Sequence, residues 1–335
     1  MLLLAATGHD AVAALRALWS GAFGSGDAIA SATLVRATPL ILAGLAVAVA
    51  FRAGILNVGA EGQLLAGGCA ATAVAVSGSS ALGWATAPVA LLAGVAAGAL
   101  WAGIAALLRR RFGVLEVIST IMLNFVALYA TGWLVRGPLQ EPRRIYPQSP
   151  TLPEVARLPL LIPGTRLHVG FALALVAGIA LWAVLRYSAA GFRLRATGLN
   201  PHAAASAGLI AVPAVTSAAF LASGALAGLA GAVEVTGVTY ALYENLSPGY
   251  GYTAIAVALL ARLNPLGVLA AGALFGALEA GAGAMQRDAG VPAVVVTVVE
   301  AVLILLVLAA DRLRDRLPTR GRRVPRADDP APAAG

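Results

Sequence analysis

Asn57, Glu61 and Gln63 lie four and two residues apart, between the apolar runs Thr38 to Ala50 and Leu64 to Val76. Arg52 precedes them, and five glycines punctuate the stretch from Phe51 to Gly68. Polar side chains among helix-breaking glycines are costly beside lipid, because hydrocarbon offers free N–H and C=O groups no partner. At membrane depth such a segment must be buried by protein or line a wet cavity. That makes Asn57, Glu61 and Gln63 candidates for a solute pathway. A loop between two helices tolerates the same composition, so both readings stand at this point.

Ser119, Thr120 and Asn124 form a second polar group. Glu116, Thr120 and Asn124 share one helical face and Ser119 flanks it. Hydroxyls can satisfy themselves on the preceding helical turn, so Asn124 carries most of the case for an interior polar role. A third stretch, Gly198 to Gly208, has Asn200 as N-cap, Pro201 at the first helical position, alanines behind it and Gly208 to end it. It predicts a two-turn helix that either plugs into a partner or simply connects two spans. Glu234, Glu279 and Glu300 fall in late apolar runs, where an ion-coupled carrier would want carboxylates, but no paired constellation accompanies them.

Several chemistries are excluded. Cys69 is the single cysteine, and His9, His168 and His202 have no ligand spacing, so no metal centre and no catalytic set is expected. All 23 basic residues are arginine, and the phosphate-cradling loop of ATPases needs a lysine. If this chain works with ATP, another subunit binds it.

The elements that must position these residues follow from composition. With 60% hydrophobic and 11% charged residues the chain is far more apolar than a soluble protein, which carries about 25% charged residues. The runs approach the roughly 20 residues of a spanning helix. The expected fold is all-α, a polytopic transmembrane bundle of about 8–10 spans with a broken helix near residues 52–63. Spans are expected over 34–51, 63–76, 84–108, 115–134, 169–185, 212–238, 253–263, 265–285 and 294–310. Arg109, Arg110 and Arg111 place one helix end in the cytoplasm. The net charge of +8 belongs to loops and tail, which points to membrane orientation and not to nucleic acid. Residues 1–33 read as an N-terminal segment whose Met1 to Leu4 is the remnant of a further span. Residues 34–311 form the membrane domain, and 312–335 an Arg/Pro-rich cytoplasmic tail. Gly94 and Gly98, Gly224 and Gly228, and Gly272 and Gly276 are spaced for close helix contacts, although 38 glycines make such spacings common by chance.

Three stretches together resemble the membrane permeases of bacterial ATP-binding-cassette (ABC) importers. They are Phe51 to Gly68; Glu116 to Asn124, continuing to Leu134-Val-Arg-Gly-Pro138; and Ser247 to Leu260, followed by Asn264-Pro-Leu-Gly267. The likeness is nearest to the nucleoside-type branch of a group that also serves simple sugars and branched-chain amino acids. It implies a non-enzymatic transport subunit of the bacterial inner membrane. The implied partners are a cytoplasmic ATPase subunit carrying ATP and Mg, a second permease, an extracytoplasmic solute-binding (lipo)protein and a small polar solute. By the same resemblance Gly198, Asn200, Ala203, Ala204 and Gly208 fall on the segment that couples to the ATPase. Asn57, Gly59, Glu61, Gly62 and Gln63 fall on the broken-helix motif. An ion-coupled carrier remains the alternative from another class.

Overall fold

The computed structural model describes residues 10–302, apart from 207, 209, 293, 296, 297, 299 and 300. The expected ninth span, Glu300 and the tail lie outside or largely outside the described residues. Among the described residues the chain is helical, with two isolated β-bridges and no strand.

Helix α1, Ala11–Phe23, is capped by Asp10, whose Oδ1 accepts from the Val12 and Ala13 N–H groups. A π-helical turn, Ala28–Leu34, leads into α2, Val35–Arg52. Pro39 inside α2 cannot donate a backbone bond, and the widened turn sits just ahead of it, where such irregularities collect. After a break come α3, Ala60–Leu82, and α4, Thr86–Phe112, joined by a 3-10 turn at Gly83–Ala85. Then follow α5, Glu116–Arg136, α6, Val169–Tyr187, α7, Ala189–Leu199, and α8, Pro201–Ser206. The chain continues through α9, Val212–Val233, with a π-helical extension Glu234–Thr239, then α10, Tyr250–Leu260, and α11, Pro265–Ala289.

Six segments among the described residues are long and apolar enough to cross a membrane. One of them, Ala60–Phe112, is a helical hairpin: Ala66, Ala70 and Ala73 of α3 line the same groove as Ala97 and Trp101 of α4. It therefore supplies two crossings, and the 11-residue α10 is too short to add another.

The core is built on α2, which is apolar on all sides and is surrounded by α6, α9, α10 and α11. The paired glycines are contacts and not coincidences of composition. A Cβ on Gly98 would strike the backbone carbonyl of Gly224, one on Gly228 the carbonyl of Gly94, and one on Gly67 the carbonyl of Gly228. Backbones of α3, α4 and α9 thus meet directly, which is how helices gain contact where lipid supplies no hydrophobic drive. Gly272 and Gly276 do the same for α11 against Ile41 and Ala37 of α2.

The proline-rich segment 137–168 lies along the π-helical extension of α9 and the residues after it. Ser149, Leu152 and Leu158 donate backbone N–H bonds to Leu242, Tyr240 and Thr236 at 2.9, 2.8 and 2.9 Å. Arg136 pairs with Glu244 at 2.7 Å, and the Arg157 guanidinium stacks over Tyr240 at 5.0 Å. This cap covers the end of the bundle opposite Arg109–Arg111.

Candidate functional site

Helix α2 ends because Ala53 and Gly54 turn out of it, Gly54 at φ +74, and residues 55–58 are irregular, with Asn57 N donating to the Ile55 carbonyl at 3.0 Å. The irregular segment does not leave the bundle. Asn57 is fully buried, and its Nδ2 donates to Ser223 Oγ of α9 at 2.9 Å; that hydroxyl in turn donates to the Ala46 carbonyl of α2 at 2.7 Å. Ala46 lies about 9 Å up the helix from Arg52 at 1.5 Å per residue. The chain has therefore turned back to the depth of mid-α2 before α3 begins.

At that depth the first N–H groups of α3 have no helical partner. Asn57 Oδ1 accepts from Gly59 N at 2.9 Å, and Asn124 Oδ1 of α5 accepts from Gly62 N at 2.8 Å. Asn57 and Gln63 exchange amide bonds at 3.1 Å each way. Asn124 Nδ2 donates to the Val58 carbonyl at 2.9 Å and to Tyr252 Oη at 3.3 Å. The α3 end of the break is thus held by side chains from α9 and α5.

A second helix starts at the same place. Gly249, at φ +101, precedes α10, whose first turn is held from two sides. Ser247 Oγ accepts from Gly249 and Tyr250 N–H at 3.1 and 2.9 Å, and the Glu61 carboxylate accepts from Gly251 N at 2.7 Å. Ser247 is also hydrogen-bonded to that carboxylate. A Cβ on Gly251 would overlap the Glu61 backbone nitrogen, so the two helix N-termini touch. Two positive dipole ends converge there, and Glu61 is the one carboxylate set between them. At 11 residues α10 is about 16 Å long, half of a roughly 30 Å hydrocarbon core. It stops in a turn where Arg262 and Leu263 adopt φ 50 and 58.

The structure therefore gathers Asn57, Glu61, Gln63 and Asn124 into one buried polar joint. Ser119 and Thr120 are buried beside it, but their hydroxyls donate to the Glu116 carbonyl of their own helix at 3.1 and 2.7 Å. Every polar group of the joint named here has a protein partner. The arrangement holds a discontinuity between α2 and α3 beside the start of α10. Ser223, Ser247, Gly251 and Tyr252 complete it and were not singled out one by one in the sequence; the run Ser247 to Tyr252 carried a signal only as part of a longer motif.

The segment Gly198 to Gly208 lies at the other side of the break. The expected cap and helix are present: Asn200 Oδ1 accepts from Ala203 N at 3.0 Å, α8 follows, and Gly208 takes φ +71. Ala203 is exposed and Ala204 buried. The arginine-bearing stretch before it is helix α7, begun by Ser188 Oγ accepting from Gly191 N at 3.0 Å. At its end Gly198 sits on the break itself. A Cβ there would overlap the Arg52 carbonyl and lie 3.1 Å from Gly54 N, and one on Gly54 would lie 3.3 Å from Gly198 Cα. The last turn of α7 and the first residues of the break are in backbone contact.

Residues 29–308 match the family described as branched-chain amino acid transport system / permease component. The chain is similar to the guanosine ABC transporter permease protein NupP of Bacillus subtilis, with 38% identity across 93% of this chain and 90% of that protein. It is similar to a glucose ABC transporter permease protein of Haloferax volcanii, at 40% identity over 83% and 75% of the two chains. A nucleoside ABC transporter permease protein of Lactococcus lactis, NupB, is 31% identical over 91% and 86%. No solved structure matches.

Proposed function

Because the chain belongs to the family of permease components of branched-chain amino acid transport systems and is an ABC transporter permease, a multi-pass membrane transport subunit, we propose that it carries nucleosides inward across a bacterial cytoplasmic membrane. The similarity to guanosine and nucleoside permeases over nine-tenths of the chain supports that solute class. The likeness to a glucose permease makes a simple sugar the second reading.

The observation that carries the mechanism is the backbone contact of Gly198 with Arg52 and Gly54. A cytoplasmic ATPase subunit, holding ATP and Mg, engages the exposed face of α8 around Asn200 and Ala203. Its movement passes through α7 and Gly198 to the end of α2. There the joint of Asn57, Glu61, Gln63 and Asn124 has two packings, and displacement of α7 biases one over the other. The pathway role expected for these residues becomes that of a gate: they meet solute when their mutual bonds open. Selectivity comes from an extracytoplasmic binding protein, and a second permease completes the path.

The test is gentle purification of the tagged chain from native membranes, followed by mass spectrometry and uptake in vesicles. Recovery of an ATPase subunit and a second permease, with nucleoside uptake that needs ATP, is the expected result. Recovery of the chain alone, with uptake that follows a proton or sodium gradient, overturns it in favour of a carrier.

A further inference from the structure

A cleft of about 260 Å³ opens at the end of the bundle that carries Arg109–Arg111, where α2, α6, α7 and α11 meet. Arg52, Arg186 and Arg195 line it, with Trp182 on one wall and Asn264 at the start of α11 on another. Arg52 ends α2, Arg186 is in the last turn of α6, and Arg195 is on α7, so the cleft's charge comes from three different elements. Arg52 and Arg195 are close enough for their charges to repel. Among the described residues none of the three has a carboxylate within ion-pair distance. Like charges gathered into one cleft without a counter-ion destabilise the apposition of the helices that bear them, unless an anion fills the space.

The level of the cleft indicates which anion. It opens at the ends of two membrane-spanning helices, and Trp182 lies on α6 about 7 Å inside its final residue. Tryptophan beside arginine at a helix end is the composition of the headgroup layer, and basic clefts between helix ends on the cytoplasmic side suit lipid phosphates. The face of α8 around Asn200 is the more projecting surface for a protein partner, since Pro201, His202 and Ala203 are exposed. From the convergence of Arg52, Arg186 and Arg195 on this cleft, we propose that it binds the phosphate of an anionic phospholipid headgroup.

A phosphate held by all three guanidiniums ties α7 to the ends of α2 and α6, next to the Gly198 contact. Lipid retention follows from the cleft alone, whereas its effect on coupling rests on the proposed ATPase-driven mechanism. The two are measured separately.

The purified full chain in neutral detergent is titrated with phosphatidylglycerol, phosphatidylcholine or inorganic phosphate, and bound lipid is counted by native mass spectrometry. One phosphatidylglycerol is expected to be retained in preference to phosphatidylcholine, and each of Arg186→Gln and Arg195→Gln should weaken retention about fivefold. Arg186→Lys and Arg195→Lys, which keep the charge, should lose less than the glutamine variants, and a melting curve for each variant shows that it is folded. Inorganic phosphate at millimolar concentration that displaces the lipid supports phosphate as the recognised group. Failure to displace it supports the membrane-embedded lipid as the source. Equal retention of both lipids, or unchanged retention in folded glutamine variants, overturns the proposal. So does binding of neither lipid while an ATPase subunit protects the arginines, which would assign the cleft to an acidic protein surface. If lipid binds as expected and transport coupling is insensitive to phosphatidylglycerol, the binding site stands and the mechanical link fails.

Discussion

Replacing Gly198 by alanine tests the link between α7 and the break with one added methyl group. The new Cβ would overlap the Arg52 carbonyl oxygen and lie 2.9 Å from the Arg52 carbonyl carbon and 3.1 Å from Gly54 N. All three are backbone atoms, so no side chain can swing away. Restoring an ordinary separation of roughly 3.5 Å from the Arg52 carbonyl oxygen requires α7 to withdraw by about 1.5 Å. Overpacking of this kind costs about 1–3 kcal/mol. If α7 presses on the break in one transport state more than in the other, that cost shifts the balance between them by about 5- to 150-fold. The assay is solute moved per ATP hydrolysed by the assembled transporter in proteoliposomes. Gly198→Ala should lower that ratio at least about fivefold at the small end of this range while the complex still assembles. Gly164→Ala, in the proline-rich cap at the other end of the bundle, is the control. Its Cβ would meet open space, and its cost is the left-handed φ of +80, about 1–2 kcal/mol confined to the turn. It should leave the ratio within about twofold. A Gly198→Ala transporter with normal coupling, or two variants equally impaired, would refute the argued route.

Other outcomes follow from the joint and the cap. Asn124→Leu strands the buried Gly62 N–H, worth about 1–3 kcal/mol, and the half-buried Val58 carbonyl, worth less, and should lower the melting temperature of the chain and abolish uptake; wild-type melting would show that the break does not depend on that amide. Glu61→Gln keeps an acceptor for Gly251 N, whereas Glu61→Ala removes it, so uptake should survive in the first and fall in the second with the complex intact. Equal loss in both would mean that the charge, not the acceptor, matters there. Burial, with a smaller effect from Arg166, pushes His168 down to about 4 from an ordinary 6.5. The unfolded chain therefore binds a proton that the folded chain refuses between those values. His168 supports the fold fully above about pH 6.5, and roughly 3 kcal/mol is lost as pH falls through 4. His168→Asn retains a side-chain acceptor for Gly170 N and should flatten that acid limb in a pH series of unfolding measurements.

Much of this fold was legible because lipid enforces simple rules. Apolar runs near 20 residues became helices, 34–51 as Val35–Arg52 and 169–185 as Val169–Tyr187, whereas the run expected over 63–76 continues to Leu82, and Asn264 followed by Pro265 began α11 as their chemistry predicts, with Asn264 Oδ1 accepting from Leu266 N at 3.1 Å. The polar residues of the break were legible as a group for the same reason: uncompensated polar atoms at that depth demand partners. Which partners was not legible. Ser223 lies 166 residues from Asn57 and Gly251 lies 190 from Glu61, and no local periodicity relates positions so far apart. The small-residue spacings were equally opaque, because Gly94, Gly98, Gly224 and Gly228 look like chance until the carbonyls of the opposing helix are seen against them. Helix α7 lies outside the spans expected from the sequence, since its arginines interrupt the apolar run, and Gly191 in it makes a close approach to the Val184 carbonyl.

A solute path driven by nucleotide chemistry on a partner must stop when that chemistry stops. Labelled guanosine is offered to proteoliposomes holding the complete purified complex, with the binding protein on the side opposite the ATPase. Uptake should require ATP hydrolysis, stop with a non-hydrolysable analogue and persist when ion gradients are collapsed. Guanosine accumulation that proceeds without ATP and vanishes with the gradient would contradict that dependence on ATP.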